Sequence, residues 1–420
     1  MVIFAHKFEQ KVGESMRITI IAVFLATTAF GFLLQYLNYS RRNAPIPENV
    51  KDVYDEETYK KYRAYTMENT KFSIISGLIE TAIYLAVLLF NFHHVLYGFI
   101  SESTSNIYWT SLFIFFVPVI IVGIIEELVG IYSTFGIEAK YGFNKTTPGT
   151  YILDFFKSIL LMVLIGGGLL MLFLWMYRSI GNWVFLAFFF VLLAFSIFAS
   201  FLMPLLIRIF YKLTPLEDGE LKDKIIAMAE KTDTKLRGIY MVNASKRSTK
   251  SNAFAAGFGK TKTIGLFDTL LEKFTHDEIL SILAHEIGHE KKKHVIKSFP
   301  LSLVSLGIMV LAAFFIVNSL EASQAFGFAD VNLAFGVFVL FILIEPINLI
   351  LSIPAKALSR KHEYEADAYE KELMGRDAPI AAMKKIYRED LGNLTPHPFV
   401  VMMEYDHPTA SQRIAEFEKE

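Results

Sequence analysis

The chain contains no cysteine. That removes structural disulfides, thiolate metal sites and cysteine lipidation, and leaves the compartment open. Net charge is nearly absent too: 41 Lys and Arg against 42 Asp and Glu leave −1 over 420 residues, so the balance points to no nucleic-acid or strongly acidic partner. There is no low-complexity tract and no repeat of solenoid period. The first apolar segment follows Arg17 without a small-residue cleavage pattern behind it, and reads as a retained anchor and not as a removable signal peptide.

Apolar residues are abundant. They make up 53% of the chain, with 39 Phe, and they are gathered into blocks long enough to cross a bilayer. Seven runs near the required length are Ile18 to Leu37, Phe72 to Phe92, Ile107 to Ile125, Ile152 to Tyr177, Trp183 to Ile207, Phe299 to Val317 and Ala334 to Pro354. An odd number of spans puts the termini on opposite faces. The connection from Tyr39 to Lys71 carries Arg41, Arg42, Lys51, Lys60, Lys61, Arg63 and Lys71, whereas loops 93 to 106 and 318 to 333 carry no Lys or Arg. The positive-inside bias therefore predicts an outside N-terminus, with the polar stretch 208 to 298 and everything after the seventh span in the cytosol.

Inside that polar stretch, His285, Glu286 and His289 stand in the order His-Glu-x-x-His. On a helix, histidines four apart share one face and can hold a single Zn²⁺, and the glutamate after the first is placed to act as a general base on water. The segment has helix signals of its own: Thr275 as cap, Asp277 and Glu278 at the positive end, and an apolar stripe of Ile279, Leu280, Leu283 and Ile287. The pattern predicts a zinc peptidase. A bare motif also arises by chance as two surface histidines, so a third ligand decides between the readings.

His294 is the nearest candidate, but on a continuous helix it lies about 140° round from His289. The alternative is a carboxylate from a later helix, and Ser359 to Glu370 offers Glu363 and Asp367, four apart and on one face. That spacing suits one metal ligand and one carboxylate accepting the outer N–H of a ligating histidine, while Glu365 is expected to point elsewhere. The competing reading is a solvated charged helix. Within the polar stretch 208 to 298 the sequence predicts a helix from about Leu221 to Lys231, a strand Gly238 to Asn243, extended pieces Asn252 to Phe258 and Thr263 to Phe267, and then the zinc helix. The tail from Pro379 is expected to be helical, broken at Pro396, Pro398 and Pro408.

Carboxylates also sit inside apolar runs, and each needs a partner or water there. Glu80 and Glu345 fit a hydrated chamber or interhelical contacts equally, and Glu345 also fits an answer to backbone groups freed by Pro346; Glu126 and Glu127 fall near the membrane edge and read as structural. Trp183 and Tyr177 read as interface anchors. The expected architecture is a mainly α polytopic membrane protein of about seven transmembrane helices, with a small α+β domain that carries the zinc helix. The expected boundaries are 1–207 for five spans, 208–298 for the edge strand and zinc helix, 299–355 for spans six and seven, and 356–420 for the completion of the catalytic domain.

These residues resemble the CAAX prenyl protease 1 family of integral-membrane zinc metalloproteases, intramembrane gluzincins with seven spans around a chamber, which implies a gluzincin-type catalytic domain on the cytosolic side. The resemblance is carried by Tyr141-Gly-Phe-Asn-Lys-Thr146, Ser251-Asn-Ala-Phe254, His285-Glu-Ile-Gly-His289, Ser359-Arg-Lys-His-Glu-Tyr-Glu-Ala-Asp367, and His407-Pro-Thr with Arg413. It implies one zinc per chain on His285, His289 and Glu363, Glu286 as general base, and Asp367 in support. It further implies that His407 stabilises the tetrahedral intermediate, and that Asn252, Ala253 and Arg413 bind substrate, the first two on an edge strand that pairs with substrate backbone. Without the resemblance, His407 reads equally as a capping or buried structural histidine.

The implied activity is endopeptidase cleavage of CAAX-type C-termini on peptides or proteins, prenylated or not, in contact with membrane lipid. A chain short for the family and free of cysteine favours a bacterial or archaeal membrane over the endoplasmic reticulum. Such a source would favour a quality-control protease without prenyl specificity as the alternative. A zinc-binding transporter and an inactive receptor on the same scaffold are readings of another class. Against the transporter stand the absence of an inverted repeat and the glutamate in base position, and against the receptor the intact catalytic set.

Overall fold

The computed structural model describes residues 2–257 and 262–419. Six helices open the chain: α1 (Val2–Ser40), α2 (Glu56–Leu89), α3 (Phe92–Ser103), α4 (Ile107–Ile131), α5 (Pro148–Ile180) and α6 (Val184–Phe210). The polar middle follows as β1 (Leu213–Pro215), α7 (Glu220–Lys231), β2 (Leu236–Val242), β3 (Ala253–Ala256), β4 (Lys262–Phe267), α8 (Asp268–Lys273) and α9 (His276–Lys291). Then come α10 (His294–Val317), α11 (Leu320–Ala325), α12 (Leu333–Leu343) and α13 (Glu345–Met374), and the tail forms α14 (Asp377–Glu389), α15 (Pro398–Glu404) and α16 (Ala410–Glu418).

Among the described residues, five helical stretches are long and apolar enough to cross a membrane, and the pair α12 and α13, bent by 48° at Ile344, makes a sixth. One of the five, Pro148–Ala199, contains both α5 and the start of α6, parted by a short 3-10 turn at Gly181–Trp183 where Gly181 takes φ 56°. The expectation of about seven spans is met only when those two helices are counted apart. Their outer surfaces are apolar: Leu160, Leu164 and Phe198 all face outward with more than half of their surface exposed, an arrangement that is costly in water and natural in lipid.

The basic connection after the first span is more ordered than its composition suggests. Helix α2 starts at Glu56, capped by the Asp55 side chain, which accepts from the Thr58 N–H at 2.7 Å, and its first four turns stand outside the apolar run. Val50, Val53, Tyr54 and Tyr62 pack with Tyr141, Phe143, Met383, Leu391, Ile414 and Phe417 into one buried cluster. Each such side chain contributes about 1.5–3 kcal/mol on leaving water. The Tyr54 hydroxyl reaches the carbonyls of Tyr387 at 2.9 Å and Gly392 at 2.7 Å. The N-terminal half thereby grips the helices that carry the end of the chain.

The four strands form one sheet in the order β1-β2-β4-β3. β2 and β4 run parallel, β1 and β3 are antiparallel to their neighbours, and Ala253 faces Leu266 in register. β3 is therefore an edge, as expected for the segment beginning at Asn252. Asn252 itself precedes the strand, and Phe258 lies outside the described residues. β1 was not legible because three residues carry no alternation to read. The edge is anchored from behind by the loop after the third span: Asn144 bridges Ser248, Thr249 N–H donates to Phe143 C=O at 3.0 Å, and Arg247 grips Asp154 through Nε at 2.7 Å and Nη2 at 3.0 Å.

Candidate metal centre

Helix α9 forms where the sequence signals it. Thr275 and Glu278 make a reciprocal capping box, and Ile279, Leu280, Leu283 and Ile287 are buried, three of them against the sheet with Ile264 and Leu266. Its opposite face lies against α13, and Gly288 makes that approach possible. A Cβ there would meet the Ala366 backbone at 3.1 Å, so a larger residue would move α13, and Glu363 with it, away from the histidines.

The three side chains expected to hold metal converge. His285 Nε2 and His289 Nε2 are 3.1 Å apart, His285 Nε2 is 3.2 Å from Glu363 Oε2, and His289 Nε2 is 3.3 Å from Glu363 Oε1. Tetrahedral bonds of about 2.0 Å to one Zn²⁺ place ligand atoms about 3.3 Å apart, so this triangle has the right edge. The donor chemistry fits as well. Glu363 is buried, and its Oε2 makes no hydrogen bond among the described residues. The Nδ1 of His285 faces Asp367, which accepts its proton and turns Nε2 toward the carboxylate of Glu363. Three ligand atoms converge on one spot, where a cation would take the place of the proton that the carboxylates hold on His285.

Asp367 sits where the spacing puts it, with Oδ1 3.0 Å from His285 Nδ1. Glu370, one turn further along the same face, comes within 3.5 Å of that nitrogen and accepts from the Ser281 hydroxyl at 2.6 Å. Its spacing from Glu363 and Asp367 could have revealed it. Burial alone would lower the His285 imidazole, and the carboxylates of Asp367, Glu363 and Glu370 more than reverse this, holding it well above the ordinary histidine range. Burial would likewise raise Glu363, and its contacts with His285 and His289 instead hold it well below the usual carboxylate range.

Glu286 is half-buried on α9 and, among the described residues, has no hydrogen-bond or ion-pair partner. His407 is exposed, with Nε2 3.5 Å from Glu363 Oε1 and Nδ1 2.7 Å from Asp406 Oδ1. The turn carrying it is fastened to α13: Lys356 donates to Met403 C=O at 2.7 Å and Arg360 to Tyr405 C=O at 2.7 Å. Arg413, which the resemblance groups with substrate contacts, lies behind the triad. Its Nε and Nη2 donate to Asp367 at 2.9 and 2.5 Å, and only 16% of its side chain is exposed. Its Nη1 lies 3.8 Å from Glu363 Oε2, so the guanidinium faces Asp367 and Glu363, a place that suits the support of Asp367. Glu365 points away from the triad, as expected.

A cavity of about 740 Å³ lies among α1, α2, α4, α5, α12, α13 and the end of α15, lined by Phe24, Tyr84, Phe116 and Phe338 and also by Glu80, Glu345 and Glu404. Glu80 and Glu345 share this space, which favours the chamber reading for both.

The fold and the site define a membrane-embedded metallopeptidase. Residues 215–420 match peptidase family M48, whose members are zinc-dependent, and residues 35–212 match the CAAX prenyl protease N-terminal family of five membrane helices. The chain is 30% identical to the CAAX prenyl protease 1 homolog of Oryza sativa, over 89% of this chain and 90% of that protein. It is 30% identical to CAAX prenyl protease 1 of Saccharomyces cerevisiae, over 93% and 92%. The crystal structure of S. mikatae Ste24p superposes with a TM-score of 0.90 at 28% identity, covering 96% of this chain and 99% of that one. The chain belongs to the CAAX prenyl protease 1 family of M48 peptidases, which removes the transporter reading.

Proposed function

We propose that this enzyme cleaves peptide bonds in CAAX-type C-termini at a single zinc held by His285, His289 and Glu363. The convergence of those three side chains beside a Glu286 without a partner among the described residues carries the reading. Bound there, zinc would supply Lewis-acid chemistry, polarising the scissile carbonyl and lowering the pKa of water toward ~7. Glu286 takes the proton of the attacking water and delivers it to the departing amine. His407, held at Nδ1 by Asp406, presents Nε2 beside Glu363, where it would face the carbonyl oxygen as charge develops.

Substrate backbone adds to the open edge of β3, with Asn252 and Ala253 setting its register through main-chain hydrogen bonds, which leaves side-chain preference loose. An apolar chamber with a few carboxylates suits a lipidated or hydrophobic chain approaching from the membrane. The basic segment from Arg41 to Lys71, which runs into the first turns of α2, supports a cytosolic catalytic side. The relatives' names point to prenylated substrates, and the test is cleavage of a farnesylated CAAX peptide against the same peptide unmodified. Faster cleavage of the farnesylated form supports prenyl-dependent processing. Equal rates on both would leave the peptidase and remove the prenyl specificity.

A further inference from the structure

His294 was set aside above as a ligand on the assumption of one continuous helix through His289. The chain does not continue. It breaks between α9 and α10 at Lys292 and Lys293, and Lys293 takes the left-handed conformation at φ 57°, ψ 40°. A lysine there is strained relative to glycine, and such strain persists where the surroundings demand the geometry it gives. Here the turn swings His294 back under His289. The two Nδ1 atoms lie 2.9 Å apart, and His294 is buried to 4% exposure.

On its far side His294 Nε2 is 3.2 Å from Glu365 Oε2, which also accepts from Lys297 Nζ at 2.6 Å. The ring of His362 stacks on His294 with centroids 4.1 Å apart and planes 9° apart, fixing its rotation. These contacts assign the protons. A carboxylate only accepts, so His294 carries its proton on Nε2 and offers a bare Nδ1. His289 must then hold its proton on Nδ1, and its Nε2 is left as the lone pair aimed between His285 and Glu363.

We propose that His294 is the positioning residue of His289, through the chain His289 to His294 to Glu365 to Lys297. It is the counterpart of what Asp367 does for His285: one imidazole is oriented by a carboxylate directly, the other by a carboxylate relayed through a second imidazole. The inference rests on the ligand set proposed above. Glu365 and Lys297 touch neither substrate nor metal and act only through His294.

The test measures Zn²⁺ affinity by chelator competition, and the visible absorption bands of the Co²⁺-loaded form, on purified full-length protein. His294→Ala should weaken metal binding by ~10- to 100-fold and shift the Co²⁺ bands, because an outer hydrogen bond to a ligating histidine has effects of that size. His294→Asn, whose side-chain oxygen can take the place of Nδ1 as acceptor, should recover most of the loss. Glu365→Ala should weaken binding in the same direction by less.

Unchanged affinity and bands in a folded His294→Ala would overturn the proposal, as would His294→Asn behaving no better than His294→Ala. Where His294→Ala does not fold, unchanged affinity in Glu365→Ala overturns it instead. His285→Ala separates the two readings: metal retained in that variant sinks the ligand set itself, whereas metal lost there with His294→Ala unaffected sinks only the present inference.

Discussion

Arg413 holds Asp367 with two arms, Nε to Oδ2 at 2.9 Å and Nη2 to Oδ1 at 2.5 Å, and so joins the last helix of the chain to the back of the first zinc-motif histidine. Arg413 Nη2 also lies 3.2 Å from His285 Nδ1. A guanidinium offers no acceptor, so the imidazole proton goes to Asp367 and both donors share that carboxylate. Arg413→Met should leave Asp367 buried without its main counter-charge and weaken zinc affinity by ~10- to 100-fold, as should Asp367→Ala. Arg413→Lys should recover only part, because an ammonium cannot hold both oxygens in the same plane. A raised KM with zinc affinity untouched would instead return Arg413 to the substrate surface.

The membrane orientation has a clean probe because the chain has no cysteine of its own. A single cysteine at Lys60, in the basic segment, should react with an impermeant maleimide only from the cytosolic side, and one at Glu102, in the last turn of α3, only from the opposite side. Both positions are exposed. Labelling from one side in both variants would overturn the span count.

Asp390 gives a pH signature in the water-facing part of the enzyme. Burial pushes its carboxyl up to about 6, against the lowering pull of Lys250 and Lys273, and its Oδ1 has no partner among the described residues. A folded-state pKa above the unfolded value means that the fold favours the protonated form. The penalty is absent below about pH 4, grows between about 4 and 6, and is complete above. Asp390→Asn should therefore raise the melting temperature at pH 7 and leave it unchanged near pH 4. An equal shift at both values would show that the charge is not the cause.

Much of the site was legible because its logic is local. The capping box at Thr275, the stripe of α9 and the four-residue spacings His285 to His289 and Glu363 to Asp367 are all properties of a single helix turn. Reading failed where one local rule was extended past its end. The helical period was carried through Lys293, where the backbone turns left-handed, and so the place of His294 was missed. The contact of Arg413 with Asp367 was not legible because nothing near Arg413 in sequence names a partner 46 residues earlier. The buried packing of Val50 to Tyr62 against Met383 to Phe417 was hidden in the same way, since a charged, Pro-flanked loop shows no apolar period and its core partners come from the other end of the chain.

The most direct measurement is peptide cleavage by Glu286→Gln, with zinc content determined on the same sample. Glu286 is placed to act on water and not to hold metal, so the variant should keep one zinc per chain and an unchanged melting temperature while losing ~10²- to 10⁴-fold in kcat. Near-normal cleavage by a zinc-loaded Glu286→Gln would contradict the account.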